Sequence, residues 1–182
     1  TARTSNTVAN LRGFTVGSGG SFVAVGANSA IVTSTNGITW VLRSVAGPAI
    51  SFTSVAYHPA TGQYIAVSTT NNRLATSADG ITWTAGSSGT SLNLYGVRHV
   101  DGLFIAVGDF GMIRNSLAGL GWTSLTITMD MELRGLAHGN SRYVAVGSYP
   151  NDPADPAKGR TSVALTSSDG MSFVLGKTDV IN

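Results

Sequence analysis

Short apolar and polar runs alternate along the chain, and clusters of Gly, Asn, Asp and Pro separate them. The runs are rich in Val, Ile, Phe, Tyr and Thr, which favour strands, and no segment has the period of a long amphipathic helix. In one stretch the pattern predicts strands at Ser51–His58, Gln63–Ser68, Arg73–Ser77 and Ile81–Ala85. The chain is therefore predicted to be all-β, with tight turns between short strands.

Two phrases recur along the chain and define a repeat. The first is an apolar strand, written FVAVG, YIAVS, FIAVG and YVAVG at 22–26, 64–68, 104–108 and 143–147. The second is a turn that ends on an aromatic ring, written STNGITW, SADGITW, SLAGLGW and SSDGMSF at 34–40, 77–83, 116–122 and 167–173. Four strands repeated about every 40 residues are typical of the blades of a β-propeller.

We therefore predict a β-propeller of about four four-stranded antiparallel blades. An N-terminal extension, 1–10, precedes the propeller at 11–182, whose blades cover approximately 11–49, 50–91, 92–130 and 131–182. We favour a small closed disc, since four blades are enough to form a ring. The alternative is that these blades are part of a larger propeller.

The turn phrase is interpreted as a packing device. Gly accepts a positive φ, and Asn or Asp accepts hydrogen bonds from turn amides. The aromatic residue that follows is expected to pack beneath the turn, between neighbouring blades. A catalytic group seldom needs four copies, so we favour a structural role. The residues concerned are Asn36, Gly37, Trp40, Asp79, Gly80, Trp83, Trp122, Asp169, Gly170 and Phe173; the third copy has Ala118 in place of the acid or amide.

These turns resemble the Asp-box repeats of β-propellers, which place Ser, Asp, Gly, Thr and Trp at fixed spacing. SADGITW matches that order but is one residue short between the acid and the threonine. The pairing of FVAVG with this turn is more similar to repeats of bacterial and bacteriophage proteins. The resemblance covers about 11–175 and implies a propeller. It leaves the function open, because such relatives include sialidases, photosystem assembly factors, surface adhesins and virion proteins.

The composition narrows the chemistry. The chain is 42% hydrophobic, which fits a globular domain, and has a net charge of +2 without a dense basic patch, which disfavours nucleic acid as a partner. It contains no cysteine, which excludes disulfides and thiolate chemistry. No apolar run reaches the ~20 residues that span a bilayer. The first residues lack the apolar segment of a secretion signal, and whether one was removed stays open.

A sialidase would require an arginine triad, a tyrosine nucleophile and acidic partners, as the family resemblance implies. Arg12 and Arg134 occupy matching positions on first strands, but Thr53 and Tyr95 stand there in the other units. Glu132 is the single glutamate. We therefore expect that the chain is not an enzyme and that it uses no cofactor.

The three histidines, His58, His99 and His138, lie at the ends of first strands. Imidazoles that converge at one face of a propeller would form a metal site. We favour the alternative that they are polar turn residues inherited with the repeat.

An insertion, Ser148–Arg160, interrupts the fourth unit and contains three prolines. It is predicted to be an exposed loop, and its acidic residues match no calcium-loop spacing. Departures from a repeat often mark added function, so we take it as a possible partner contact. The residues chosen for that contact are Tyr149, Asp152, Asp155 and Arg160.

The function that these observations favour is a structural or binding module that acts through protein contacts or self-assembly. We expect it at a surface, as a phage virion component (capsid decoration or tail protein) or a bacterial cell-surface protein. The alternative is a carbohydrate-binding propeller that holds a surface glycan between blades. A sialidase-like glycoside hydrolase is the least favoured function.

Overall fold

The computed structural model describes residues 4–117, 119, 121–126 and 130–176. Within these residues the chain forms sixteen strands, β1 to β16. They make four sheets of four strands each, in the orders β1-β2-β3-β4, β5-β6-β7-β8, β9-β10-β11-β12 and β13-β14-β15-β16. Every neighbouring pair is antiparallel. The predicted all-β fold with four-stranded blades is confirmed.

The strand bounds follow the repeat closely. The first blade contains β1 (Leu11–Val16), β2 (Phe22–Gly26), β3 (Ile31–Ser34) and β4 (Val41–Arg43). The second contains β5 (Phe52–His58), β6 (Gln63–Ser68), β7 (Leu74–Ser77) and β8 (Thr84–Gly86). The third contains β9 (Leu94–Val100), β10 (Leu103–Gly108), β11 (Met112–Ser116) and β12 (Thr123–Thr126). The fourth contains β13 (Glu132–Gly139), β14 (Arg142–Pro150), β15 (Arg160–Ser167) and β16 (Val174–Leu175). Short 3-10 turns lie at Ser18–Gly20, Asp109–Gly111 and Pro156–Lys158.

Three hydrophobic cores join neighbouring blades, and we call them the first, second and third seams. The first seam lies between the first and second blades and includes Val25, Val55 and Trp83. The second seam joins the second and third blades, and the third joins the third and fourth. Each sheet therefore buries apolar side chains on the faces that meet another blade, which is how stacked repeats gain most of their stability.

Among the described residues no comparable core joins the fourth blade to the first. Phe14 of β1 is 72% exposed, although Val55, at the same repeat position in β5, is fully buried. Val146 of β14 is 47% exposed, although its counterpart Val25 in β2 is fully buried. The closed disc that the sequence analysis favours is therefore not formed by the four blades alone.

Two differences from the expected strand bounds exceed one residue. The fourth strand of the second blade begins at Thr84 rather than Ile81, because the amides just before it bond to the turn. The insertion is also shorter than predicted. Strand β14 continues to Pro150, which pairs with Arg160 at the start of β15, so only 151–159 form the connection. None of the described residues forms a helix long and apolar enough to cross a membrane.

Candidate functional site

A β-bulge near the start of each first strand redirects one side chain. The pairing registers skip a single residue there, between Leu11 and Gly13 in β1 and at the same repeat positions in β5, β9 and β13. A bulge leaves the extra residue unpaired and re-aims its side chain, often beside a functional site. The four skipped residues are Arg12, Thr53, Tyr95 and Arg134, and all four line one cleft between the first strands. We call this space the axial cleft.

The axial cleft is basic. Arg98 of β9 lines it together with Arg12 and Arg134, and none of the residues that line it is acidic. The guanidinium carbon of Arg134 lies 4.5 Å from the centroid of the Tyr95 ring, within the range of a cation–π contact. Arg12 donates a hydrogen bond to the hydroxyl of Ser51 at 3.1 Å. Three guanidinium groups around one space suit a carboxylate or another oxyanion.

One carboxylate balances part of this charge from the rim. Glu132 accepts a hydrogen bond from Arg134, and its other oxygen lies 3.7 Å from Nη2 of Arg160. Within the described part of the chain, Arg12 and Arg98 form no ion pair with a carboxylate. Burial, followed by the hydrogen bond and charge of Asp109, raises the pKa of Tyr95, so its phenol stays protonated at neutral pH. The cleft therefore offers positive charge together with a neutral phenol.

The sequence analysis found half of this site. It identified Arg12 and Arg134 as equivalent but discounted them, because Thr53 and Tyr95 interrupt the pattern. It missed Arg98. The available signal was that Arg98 is the only charged residue at a repeat position where the other units have Thr15, Ala56 and Ala137.

The turn phrases form compact hydrogen-bonded caps. In the second blade the amides of Ile81 and Thr82 both donate to one oxygen of Asp79 at 2.7 Å, and the Ser77 hydroxyl donates to the same oxygen at 2.9 Å. The Gly80 amide donates to Ser77 Oγ at 2.8 Å. These bonds, led by those from Thr82 and Ile81, lower the pKa of Asp79 from 3.8 to about 2.

The other copies repeat this geometry. Asn36 and Asp169 each accept two turn amides at 2.8–2.9 Å. Bonds from Ser172 and Met171 lower the pKa of Asp169 to about 2. In the third blade the Gly119 amide still donates to Ser116 at 2.8 Å. Ala118 lies outside the described residues.

The aromatic residues of the turns pack toward the preceding blade. Trp83 is 5% exposed within the first seam, and its ring nitrogen donates to the Gly80 carbonyl at 2.9 Å. Trp122 packs against the second seam and Phe173 against the third. Among the described residues no blade precedes that of Trp40, which is half-buried and lies 6.4 Å from the Phe22 ring. The glycines that follow the acid or amide, Gly37, Gly80 and Gly170, have φ values of 68°, 72° and 70°.

The three histidines do not converge on one point. The rings of His58 and His99 are stacked with centroids 3.9 Å apart, and both contact Phe104 within the second seam. His138 lies against Tyr143, with Nε2 3.6 Å from a carboxylate oxygen of Asp101. Among the described residues no three potential ligands gather around one position.

Burial, followed by the charge of His58, lowers the pKa of His99, and the nearby Asp101 acts in the opposite direction. The side-chain nitrogen Nε2 of His99 is buried without a hydrogen-bond partner in the described part of the chain. His58 Nδ1 accepts a hydrogen bond from the Ala60 amide at 3.2 Å. These contacts describe two stacked imidazoles packed within the second seam.

The insertion forms a braced hairpin tip. Lys158 contacts Asp152 at 2.7 Å and Asp155 at 3.9 Å, which holds both acidic residues within the tip. Arg160 donates two hydrogen bonds of 2.9 Å to Ser148 across the hairpin. Tyr149 is 38% exposed. A mostly apolar recess is lined by Asp130, Tyr149, Pro150, Pro153 and Leu175.

A second groove runs between the first and second blades. Its lining is rich in hydroxyl groups and includes Ser21, Thr33, Thr35, Thr39, Arg43 and Asp79. Arg43 donates a hydrogen bond to the Thr33 hydroxyl at 2.9 Å. None of the residues that line this groove is aromatic. Tyr64 and Tyr143 are buried within the first and third seams.

Comparison with known proteins gives the fold. No family model matches the sequence, and no curated protein sequence matches it. Among solved structures, YCF48 bound to D1 peptide is 17% identical with a TM-score of 0.68, over 93% of this chain and 56% of that one. YCF48 from Cyanidioschyzon merolae is 16% identical with a TM-score of 0.65, over 93% and 57%. A nidogen/laminin complex contains a chain that is 13% identical with a TM-score of 0.60, over 87% and 72%.

These similarities are too low to transfer a function. The chain spans little more than half the length of the two YCF48 chains. Two of these neighbours nevertheless come from complexes, one with a peptide and one with another protein. The neighbours therefore support the propeller and leave the specific Asp-box assignment as a resemblance.

The expectation that the chain is not an enzyme is wrong, because structures with the same fold include glycoside hydrolases. A glycoside hydrolase matches 96% of this chain and 48% of its own, at 10% identity and a TM-score of 0.58. An exo-1,5-alpha-L-arabinanase from a bovine ruminal metagenomic library matches 91% and 73%, at 11% identity and a TM-score of 0.53. Hydrolases therefore share this arrangement of strands, and catalysis is not excluded.

Proposed function

We propose that this chain is a binding module whose axial cleft takes a carboxylate-bearing segment of a protein partner. The observation that carries the proposal is the convergence of Arg12, Arg98 and Arg134 on one cleft that has no acidic lining residue. Two of these arginines are placed by bulges, which fix backbone direction better than a flexible loop does. YCF48, a structural neighbour with this fold, is also bound to a peptide.

Each part of the cleft has a role in this proposal. The guanidinium groups form charge-assisted hydrogen bonds with the carboxylate. Tyr95, stacked against Arg134, limits the rotation of that side chain. Thr53 uses its hydroxyl to bond the carbonyls of Val67 and Leu94, at 3.2 and 2.7 Å, and so ties neighbouring blades together beside the cleft.

The test is a peptide array probed with the purified chain, with each peptide present as an acidic sequence and as its Asn/Gln counterpart. We expect the acidic versions to bind and the affinity to fall with added salt. Arg12→Gln and Arg134→Gln are each expected to weaken binding about tenfold or more, since a hydrogen bond to a charged group contributes about 1.5–3 kcal/mol. The exposed Arg142→Gln, outside the cleft, is the matched control. Equal affinity for the acidic and Asn/Gln peptides, unchanged by the two arginine substitutions, would contradict the proposal.

The insertion is proposed as a second contact for the same partner. Lys158 holds Asp152 and Asp155 within the tip, and Tyr149 borders the apolar recess. An exposed Tyr beside Arg160 has the composition that interfaces favour. Replacing Tyr149 by Ser is expected to weaken partner binding without changing the thermal midpoint of unfolding. An unchanged affinity would remove the insertion from the interface.

The second candidate function is glycan binding in the groove between the first and second blades. The observation that favours it is the row of hydroxyl groups beside Arg43 and Asp79. A glycan array is expected to give hits that Arg43→Gln abolishes and Arg12→Gln leaves unchanged. Hits that depend on Arg12 instead would assign the glycan to the axial cleft.

We also propose that the module acts at the exterior of a virion or a cell. The low content of charged residues, 11%, and the hydroxyl-rich sequence are what support this location. Mass spectrometry of purified particles, of the outer surface and of the cytosol tests it. Recovery only from the cytosol would contradict the location.

A further inference from the structure

The first and fourth blades expose faces that the other blades bury. We call the outer face of the first blade the leading face, and its repeat positions are Leu11, Phe14, Phe22 and Trp40. In the other three blades, the residues at the positions of Leu11 and Phe14 are at most 6% exposed. They are Phe52, Leu94 and Leu133 at the first position and Val55, Val97 and Leu136 at the second. Phe14 is 72% exposed. A face built for burial is thus presented to solvent.

The outer face of the fourth blade is the other side of a blade, and we call it the trailing face. It comprises Val144, Val146, Ala164 and Thr166, which are paired across β14 and β15. The matching positions of the first blade are Val23, Val25, Ile31 and Thr33. Those four residues are buried where the first blade meets the second. The trailing face therefore repeats one side of a seam, and the leading face repeats the other side.

A seam always joins a trailing face to a leading face. The described residues include one exposed example of each, with no charged residue at the core positions named for either. Solved structures with this fold are also longer, since this chain spans 56% of one and 72% of another.

We propose that a second copy of this chain closes the ring. The leading face of one copy packs on the trailing face of the other, and a two-fold axis through the centre generates two identical seams. The result is an eight-bladed ring in which each new seam continues the interface already formed three times within the chain. Head-to-tail contacts close into rings when the rotation permits it. The axial clefts of the two copies would then face a common centre.

Sedimentation velocity of the 182-residue chain over a wide concentration range provides the first test. A species with twice the mass of the chain is expected, in exchange with monomer as the protein is diluted. A monomer at every concentration would overturn the proposal, and it is the result expected if further blades of a longer chain cover these faces. Continued growth into long polymers would also overturn it, because the two faces would then not close.

Paired variants give the second test. Phe14→Lys and Val146→Asp are each expected to weaken association roughly thirtyfold or more, by placing a charge in a seam. Ile81→Asp, at an exposed position inside the arc, is the control and is expected to associate like the parent chain. Circular dichroism of each monomer verifies the fold.

Mixing separates this arrangement from any other dimer. An equimolar mixture of Phe14→Lys and Val146→Asp chains can form a dimer with one native seam and one seam in which the two new charges attract. Association is expected to recover in the mixture beyond that of either variant alone. Failure to recover, or unimpaired dimers from each variant alone, would overturn the head-to-tail order.

Discussion

The turns of the first and second blades have nearly the same sequence and different surroundings. STNGITW at 34–40 and SADGITW at 77–83 share their last four residues. Gly37 and Gly80 donate to the preceding serine at 2.9 and 2.8 Å, with φ values of 68° and 72°. Yet Trp83 is buried and Trp40 is only half-buried.

The comparison separates what nearby residues in the sequence determine from what the neighbouring blade determines. Hydrogen bonds among residues close in the sequence determine the turn, so the same phrase folds in the same way in each blade. Burial of the aromatic ring depends on a preceding blade, and in the described part of the chain the second turn has one and the first does not. Four tests separate these contributions.

Truncation of the two indoles should give the largest difference. Trp83→Ala is expected to destabilise the chain by about 3–5 kcal/mol, because it empties a buried site and removes the bond to Gly80. Trp40→Ala should cost about 1 kcal/mol, since less apolar area leaves water contact. Urea unfolding at a concentration where the chain is monomeric measures both. Equal costs would show that the preceding blade does not determine the contribution of the ring.

Alanine at the turn glycines should give a smaller difference. Both substitutions place a side chain at positive φ, which costs about 1–2 kcal/mol. A Cβ at Gly80 would also lie 3.3 Å from the Tyr64 ring, whereas at Gly37 the nearest atom is 3.8 Å away on Phe22. Gly80→Ala is therefore expected to be the more destabilising in thermal unfolding. If Gly37→Ala is the more destabilising substitution, the Tyr64 ring does not restrict a side chain at position 80.

Substitution of the capping acid should have a modest effect. Asp79→Ala leaves the Ile81 and Thr82 amides without their acceptor and is expected to cost about 1 kcal/mol, as for the loss of a helix cap. Asp79→Asn imitates the first blade, where Asn36 accepts the equivalent amides at 2.8 and 2.9 Å. Asn should therefore retain most of the stability at neutral pH. If Asn is no better than Ala in denaturant unfolding, the negative charge rather than geometry stabilises this turn.

The pH dependence of the same pair should be the smallest effect, because the carboxylate is exposed. The folded pKa of Asp79 is about 2, below its ordinary 3.8, so the unfolded chain binds more protons between these values. The contribution of Asp79 is present above about pH 4 and is lost as the pH falls through about 2. The stability difference between the parent chain and Asp79→Asn should therefore narrow over this window in denaturant titrations. A constant difference would contradict the lowered pKa.

The sequence predicted the parts of this molecule that depend on local order. Alternation and repetition gave the four blades, and the second and third strands at Gln63–Ser68 and Leu74–Ser77 lie within a residue of their predicted bounds. The start of β8 was misplaced because Asp79 uses the Ile81 and Thr82 amides that a strand would pair. Such competition from a side chain is not visible in apolar alternation.

Ring closure and the axial cleft could not be predicted in the same way. Phe14 and Val55 are both apolar at equivalent positions, yet Phe14 is exposed and Val55 is buried in the first seam. Arg12 and Arg134 were visible as repeated residues, but their approach to Arg98 depends on bulges and on the arc of four sheets. These are properties of several blades together.

The three seams also imply an uneven resistance to opening. The inner two blades are held on both sides, whereas each outer blade is held on one, and in a linear array of units the ends fray first. Backbone amides of β2 and β14 should therefore exchange with deuterium sooner than those of β6 and β10. Association of two copies would remove the ends, and the four strands would then exchange at similar rates.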